Sequence, residues 1–215
     1  MIKTVVFIIA FAVILTGCAD TKKHSKGVYM LIDTSGTYAL ELKKAQSILN
    51  YLLGTLQPMD TLAVARIDTG SFSEKDIIGK VTFYQRPSVA NNQKRAFQIK
   101  LDEFISNVKS SRYTDISGGI LQAIEYLNEA DPGKKYILIF SDLEEKFKKG
   151  NVRDVPFHVA GFNVIALNVN KLRADILDPI KYMKRVERWR NKIESGNGQW
   201  GVVNDLKRLD NIFSE

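Results

Sequence analysis

Three short runs of apolar residues, almost without polar interruption, most constrain what this chain can fold into. They occupy residues 26–33, 136–140 (YILIF) and 163–169 (NVIALNV). A strand-length apolar run without alternation is typical of a strand buried on both faces, which occurs mainly in parallel sheets covered by helices. The chain is therefore expected to contain a central sheet with a layer of helices on each face.

Segments with helical periodicity lie between and after these runs. The apolar spacing predicts helices over residues 38–56, 89–108, 116–128, 181–194 and 200–212, and two further strands over 61–68 and 78–84. Strands that alternate with helices favour βαβ units. The predicted fold class is α/β, doubly wound, with a mostly parallel central sheet flanked by helices.

Composition places the chain among ordinary globular proteins. Apolar residues make up 45% and charged residues 26% of the 215 residues, and the formal net charge is +7. A basic protein outside the cytoplasm is expected to meet anionic lipid headgroups or an acidic protein, and we expect no nucleic-acid partner. Residues 27–215 are long enough to form one domain with a sizeable core.

The first residues have the layout of a secretory signal peptide. Lys3 supplies a positive charge, and an apolar segment of residues 5–15 follows. This segment is shorter than the roughly 20 residues of a spanning helix, although a marginal membrane anchor stays open as an alternative. The stretch Leu15-Thr16-Gly17-Cys18 resembles the lipobox of bacterial lipoproteins. That resemblance implies cleavage after residues 1–17 and attachment of lipid to Cys18.

Cys18 is the only cysteine of the chain, so it has no intrachain disulfide partner. Residues 18–26 are polar and are interpreted as a lipidated tether that holds the domain at a membrane of the bacterial cell envelope. Under the sorting rule of some Gram-negative lipoproteins, Ala19 after the cysteine favours the outer membrane, whereas Asp20 leaves the inner membrane open.

Two acidic residues come directly after predicted strands. Asp33 ends the first strand, and Asp142 follows YILIF in the stretch FSDLEE. The carboxyl ends of parallel strands meet at one edge of a sheet, where ligands gather. Ser35 and Thr37 follow Asp33 at alternate positions, so their hydroxyls can converge with the carboxylates. Such hard oxygen ligands suit Mg²⁺ or Mn²⁺.

The segment Asp33-Thr34-Ser35-Gly36-Thr37 resembles the DxSxS motif of von Willebrand factor type A (VWA) domains, which forms a metal-ion-dependent adhesion site. Thr114 in RYTDISGG and Asp142 in IFSDLEE match the two further pieces of that site in order and spacing. The resemblance implies that Ser35 and Thr37 bind the metal through their hydroxyls and that Thr114 binds it directly in one conformation. Asp33 and Asp142 would act through water or hydrogen bonds. A partner's carboxylate would fill the remaining position.

The sequence departs from the family pattern in two places. Thr37 stands where serine is usual, which keeps the hydroxyl but crowds the site. Leu143 stands where glycine is common, and Glu144 and Glu145 follow it. These acids can strengthen metal binding or repel an acidic partner.

The resemblance implies a lipid-anchored binding module outside the cytoplasm rather than an enzyme. Two alternatives stay open. In a structural family member without metal, Asp33 and Thr37 would only cap the first helix. A Mg²⁺-dependent phosphoryl-transfer enzyme is disfavoured, because Ser35 breaks the DxD pattern of haloacid-dehalogenase-type phosphatases and no GxxxxGK[ST] loop is present. The basic run KYMKRVERWRNK is interpreted as a solvated helix face with an apolar seam, with membrane or partner contact as the alternative.

Overall fold

A computed structural model describes residues 24–68, 73–147 and 155–213. Within them, one sheet has the strand order β3-β2-β1-β4-β5-β6. The strands are β1 (Lys26–Ile32), β2 (Thr61–Arg66), β3 (Ile77–Thr82), β4 (Lys134–Phe140), β5 (Phe162–Leu167) and β6 (Gln199–Val203). Neighbouring strands are parallel except β3, which is antiparallel to β2. The predicted α/β, doubly wound fold class is confirmed.

Helices cover both faces of this sheet. They are α1 (Leu42–Thr55), α2 (Pro87–Asn107), α3 (Ile116–Ala130), α4 (Arg173–Leu177) and α5 (Pro179–Glu194), with 3-10 helices at Gly36–Glu41, Glu74–Asp76 and Leu206–Phe213. One face packs against α1, α2 and the last 3-10 helix, and the other packs against α3 and α5. None of the helices in the described ranges is both long and apolar enough to cross a membrane.

The central strand β1 shows why the apolar runs are informative. All its residues from Gly27 to Ile32 are buried. Met30 faces the core with α1 and α2, whereas Leu31 faces the core with α3 and α5. Each such side chain contributes about 1.5–3 kcal/mol through burial. Because both cores are built from residues between Lys26 and Phe213, a fragment that starts at Ala19 contains all of the described core and is expected to fold by itself.

The helix predicted over residues 200–212 is wrong in its first half. Gln199–Val203 instead forms the edge strand β6, paired with β5, and only Leu206–Phe213 is helical, as a 3-10 helix. The segment QWGVV is rich in β-branched and aromatic residues, which favour a strand when a sheet edge is available. The short helix α4 was also not predicted.

The predicted signal peptide (residues 1–17), Cys18 and most of the tether lie outside the described residues. The domain boundaries proposed from the sequence therefore stay predictions at their amino-terminal end.

Candidate metal centre

Asp33 lies at the carboxyl end of β1, deep in the edge of the sheet. Its backbone N–H donates to the carbonyl of Phe140 at 2.9 Å, which continues the β1–β4 pairing by one residue. Its fully buried carboxylate accepts hydrogen bonds from the Ser35 N–H and the Ser141 hydroxyl, both at 2.8 Å. Burial raises the pKa of Asp33 to about 6 and the charge of Asp142 adds to this, although the hydrogen bonds oppose it. The site thus holds a carboxylate that is costly to ionise without a cation.

Two hydroxyl groups from distant parts of the sequence meet beside this carboxylate. The Thr114 hydroxyl donates to the Ser35 hydroxyl oxygen at 2.9 Å. Thr114 is fully buried, and its backbone exchanges hydrogen bonds of 2.9 and 3.0 Å with Lys146. Ser35 is held against Ser111 by an isolated bridge between their backbones. Backbone contacts on both loops therefore fix the position of the hydroxyl pair.

Asp142 follows β4 and is half-buried at the same edge. Its carboxylate accepts a hydrogen bond from the Glu144 N–H at 2.9 Å. Burial raises the pKa of Asp142, while this hydrogen bond and the nearby guanidinium of Arg185 lower it. Asp33 accepts a hydrogen bond from Ser141, the residue before Asp142, so both acids lie at the same edge of the sheet, as the strand ends predicted.

Thr37 completes the set of predicted ligands. It lies in the first turn of the 3-10 helix Gly36–Glu41, two residues after Ser35. Its side chain is not among the described parts of the structure, so its role as a ligand stays a prediction. The structure brings together the other four residues of the predicted set: Asp33, Ser35, Thr114 and Asp142.

The donor set fits a small hard cation. In an octahedral Mg²⁺ site with ligands at about 2.0–2.1 Å, neighbouring ligand oxygens lie about 2.9 Å apart. The Ser35 and Thr114 hydroxyl oxygens already have this separation. The described ranges contain no group of three or more His, Cys, Asp or Glu side chains arranged for a metal. A metal here would therefore depend on hydroxyl ligands and two carboxylates, which suits Mg²⁺ or Mn²⁺ better than a soft metal.

Leu143, where the family commonly has glycine, adopts a left-handed backbone conformation with φ of 66°. This conformation costs a residue with a side chain roughly 1–2 kcal/mol. The Leu143 side chain is fully buried, its N–H donates to the Ser141 hydroxyl at 3.1 Å, and its carbonyl accepts a 3.0 Å hydrogen bond from the Trp189 indole. Packing and hydrogen bonds thus hold a backbone turn that glycine would adopt without strain.

Helix α5 contributes to this loop in a way that sequence reasoning missed. Arg185 is buried and donates from Nε to the Asp142 carbonyl at 2.8 Å. The two remaining nitrogens of its guanidinium donate to Asp175 at 2.7 and 3.1 Å, and Glu144 lies 3.7 Å away. The prediction that the basic residues of this helix are solvated is therefore wrong for Arg185, which is buried. The helical spacing of Arg185 with the apolar Trp189 was the available signal.

A second set of buried polar groups supports the loop after β1. The Thr34 hydroxyl donates to the Asp68 carboxylate at 2.6 Å, and Arg66 binds the same carboxylate at 2.5 and 2.9 Å. Asp68 lies just beyond β2, as Asp33 lies just beyond β1, and this repeated position was the signal that could have identified it.

Asp115 caps α3 by accepting a 2.8 Å hydrogen bond from Gly118 N–H, so the loop that carries Thr114 is also fixed.

No protein-family model matches the sequence, and no curated protein matches it. Among solved structures, a von Willebrand factor type A protein from Catenulispora acidiphila superposes with a TM-score of 0.52 and 15% identity over 88% of this chain. This chain spans only 41% of that protein's length. The conserved hypothetical protein BatB from Bacteroides thetaiotaomicron matches with a TM-score of 0.50 and 14% identity, over 88% of this chain and 95% of the other. The described part of the chain therefore has the fold of a VWA domain.

Proposed function

We propose that this protein is a lipid-anchored VWA module outside the cytoplasm that binds a partner protein through a divalent cation. Asp33, Ser35, Thr37, Thr114 and Asp142 would hold Mg²⁺ or Mn²⁺. The observation that carries the proposal is the 2.9 Å pair of Ser35 and Thr114 hydroxyl oxygens beside the buried Asp33 carboxylate. A bound cation would supply a Lewis-acidic position for an oxygen ligand from the partner, for which a carboxylate is the strongest choice.

Each residue of the proposed site has its own role in holding the cation. Asp33 orients the loop by accepting the Ser35 N–H and supplies negative charge that favours a cation. Ser35 and Thr114 present neutral oxygens, which leave a metal electrophilic towards an incoming carboxylate. The hydrogen bond from Arg185 to the Asp142 carbonyl fixes the backbone of the loop that carries Asp142.

Metal binding is expected to raise the thermal stability of the fragment that starts at Ala19. A ligand that binds only the native state at about 100 times its dissociation constant adds about 2.7 kcal/mol. We therefore expect the melting temperature to rise with Mg²⁺ or Mn²⁺ concentration, to fall back with EDTA, and not to respond to metal in Asp33→Ala. The measurement is a differential scanning calorimetry titration.

A second pair of hydroxyls provides the control for this measurement. Thr61 and Thr82, on neighbouring strands away from the site, also place their hydroxyl oxygens 2.9 Å apart. Thr114→Val should abolish the metal response, whereas Thr82→Val should retain it. If neither metal shifts the melting temperature of the unmodified fragment, the site is a structural turn without a cation and the proposal of metal-dependent binding fails.

The anchoring and the noncatalytic role need separate tests. The lipobox-like stretch Leu15-Thr16-Gly17-Cys18 supports processing and lipid attachment at Cys18. Mass spectrometry of the amino-terminal peptide from the native envelope should show acylated cysteine, and an unprocessed terminus would contradict the anchor.

Hydrolysis of p-nitrophenyl phosphate with Mg²⁺ that is lost in Asp33→Ala would instead identify a phosphoryl-transfer enzyme.

A further inference from the structure

Four aliphatic side chains within eight residues are exposed on α4 and the first turns of α5. This apolar patch consists of Ile176 (71% exposed), Leu177 (90%), Ile180 (61%) and Met183 (64%). The other large apolar residues that are exposed in the described ranges stand apart in sequence: Tyr84, Ile99 and Val155. Single exposed apolar residues are ordinary, whereas a contiguous group marks a surface that contacts something.

The fold holds this patch in a defined position. Trp189 and Ile193 turn the opposite side of α5 into the core, so Ile180 and Met183 are left on its outer side. The buried ion pair between Arg185 and Asp175 fastens α4 to α5 at 2.7 Å. The position of the apolar patch is therefore fixed by the packing of α5 on the sheet and by the ion pair that joins α4 to α5.

Exposed positive charge lies beside the patch, together with the acidic residues Asp178 and Glu187. Lys181, Lys184 and Arg188 are exposed, and within the described ranges no ion pair or side-chain hydrogen bond joins them to another residue, although the charge of Lys181 contributes to the lowered pKa of Asp175. By contrast, Arg190 further along α5 is paired with Glu187 at 2.9 Å. Lys184 follows Ile180 by four residues and lies on the same side of α5, so apolar and cationic groups adjoin on that surface.

We propose that the apolar patch docks onto an anionic lipid bilayer. Helices with aliphatic side chains and lysines on one surface bind in the interface, with the apolar groups about 5–10 Å deep and the lysines at the phosphates. The cavity beside Lys181 and Lys184 is lined by Glu144 and Glu145 and not by the four aliphatic side chains, so the apolar patch itself faces outward. The projecting aliphatic side chains also form no closed groove for a peptide.

This contact would act with the proposed lipid anchor without depending on it. Stable membrane attachment takes two signals, such as acyl chains together with a cationic or apolar surface. Ser25 is buried and its carbonyl accepts the Lys134 N–H at 3.0 Å, so at most the seven residues from Cys18 to His24 can extend. They can span at most about 23–25 Å, compared with the roughly 20 Å rise of β1. The tether is therefore long enough to run along β1 towards the carboxyl edge of the sheet, where the contacts of Arg185 with Asp142 and Asp175 place the start of α5.

Flotation with lipid vesicles tests the patch directly, using the fragment that starts at Ala19 and therefore lacks the anchor. EDTA is present throughout, so that no cation can link the metal centre to lipid phosphate. We expect binding to vesicles of phosphatidylethanolamine and phosphatidylglycerol, and little binding to phosphatidylcholine alone. The double variant Ile176→Ser/Leu177→Ser should bind at least about tenfold more weakly, and Lys181→Gln/Lys184→Gln about tenfold more weakly with less salt dependence.

A matched control lies on the opposite face of the sheet. Ile99 on α2 is 61% exposed, as Ile180 is, and an exposed lysine, Lys100, follows it. Ile99→Ser/Lys100→Gln should bind vesicles as the unmodified fragment does, and all variants should keep its melting temperature because the substituted side chains are exposed. The inference is overturned if the unmodified fragment does not float with anionic vesicles, or if the patch and control variants bind equally. Metal-dependent stabilisation would be unaffected by either result, so the two proposals can fail separately.

Discussion

Replacing Arg185 with methionine is expected to lower the free energy of unfolding by about 3–5 kcal/mol. Asp175 is almost fully buried, and its hydrogen bond from Arg185 is the largest cause of its lowered pKa. Without the guanidinium, this carboxylate is left in the protein interior without its ion-pair partner. The Asp142 carbonyl also loses its 2.8 Å hydrogen bond. Urea denaturation of the fragment that starts at Ala19 would measure the loss.

A double variant separates the cost of the unpaired buried charge on Asp175 from the loss of packing around Arg185. Arg185→Met/Asp175→Asn removes the charge, and the asparagine oxygen can still accept the Leu172 N–H that Asp175 accepts at 2.7 Å. We expect the double variant to recover most of the lost stability, because a buried ion pair replaced by neutral groups is often close to neutral. A double variant as unstable as Arg185→Met would contradict this account.

The same helix provides the control. Arg190 is about half-exposed and pairs with Glu187 at 2.9 Å. Surface ion pairs of this kind contribute about 0–1 kcal/mol, so Arg190→Met should change stability little. A comparable loss in both variants would mean that methionine weakens α5 as a helix, rather than that Arg185 supports the loop after β4.

The two strand ends that carry the proposed metal centre were predictable from local pattern. An apolar run ending in Asp33 and another followed by Asp142 favour parallel strands, and parallel strands bring their carboxyl ends to one edge. Thr114 followed from the resemblance to the VWA motif rather than from periodicity. The contact between the Ser35 and Thr114 hydroxyls then depends on backbone bridges to Ser111 and Lys146. Those bridges join loops far apart in sequence and leave no local signal.

The carboxyl-terminal third was predicted less well because its pattern was ambiguous. Val202, Leu206 and Leu209 match a helical spacing, but Val202 belongs to an edge strand and the other two to a 3-10 helix. Whether QWGVV pairs depends on an unoccupied edge of β5, which is a property of the assembled sheet. Tertiary pairing therefore overrode the local spacing.

Arg185 shows why part of the site could not be inferred from sequence. A basic residue in a basic helix is ordinarily solvated. Arg185 can be buried because Asp175 on α4 and the Asp142 carbonyl in the loop after β4 both accept its hydrogen bonds. Each of the three elements is unremarkable by itself. Their meeting is fixed by the packing of α5 on the sheet, with Trp189 seated against Leu143.

Asp33→Asn is expected to have opposite effects with and without metal. The folded chain raises the pKa of Asp33 from its ordinary value of 3.8 to about 6. Between these values the folded state binds a proton that the unfolded state does not bind, so the stability of the metal-free protein falls as pH rises from about 4 to about 6. Asparagine carries no charge and can still accept from Ser35 N–H and donate to the Ser141 hydroxyl. In EDTA above pH 6, the variant should therefore be more stable by about 1–3 kcal/mol.

Added metal should reverse this order of stability between Asp33→Asn and the unmodified protein. A cation compensates the buried charge of Asp33 in the unmodified protein, whereas the asparagine variant offers only a neutral oxygen, so Mg²⁺ or Mn²⁺ should stabilise the former and leave the latter unchanged. Asp68→Asn is the control, because Asp68 ends the neighbouring strand but is already paired with Arg66 at 2.5 Å. That variant should be less stable than the unmodified protein in EDTA at every pH above 6. If Asp33→Asn were also destabilising in EDTA, Asp33 would serve as a structural cap, and its burial would need no cation to explain it.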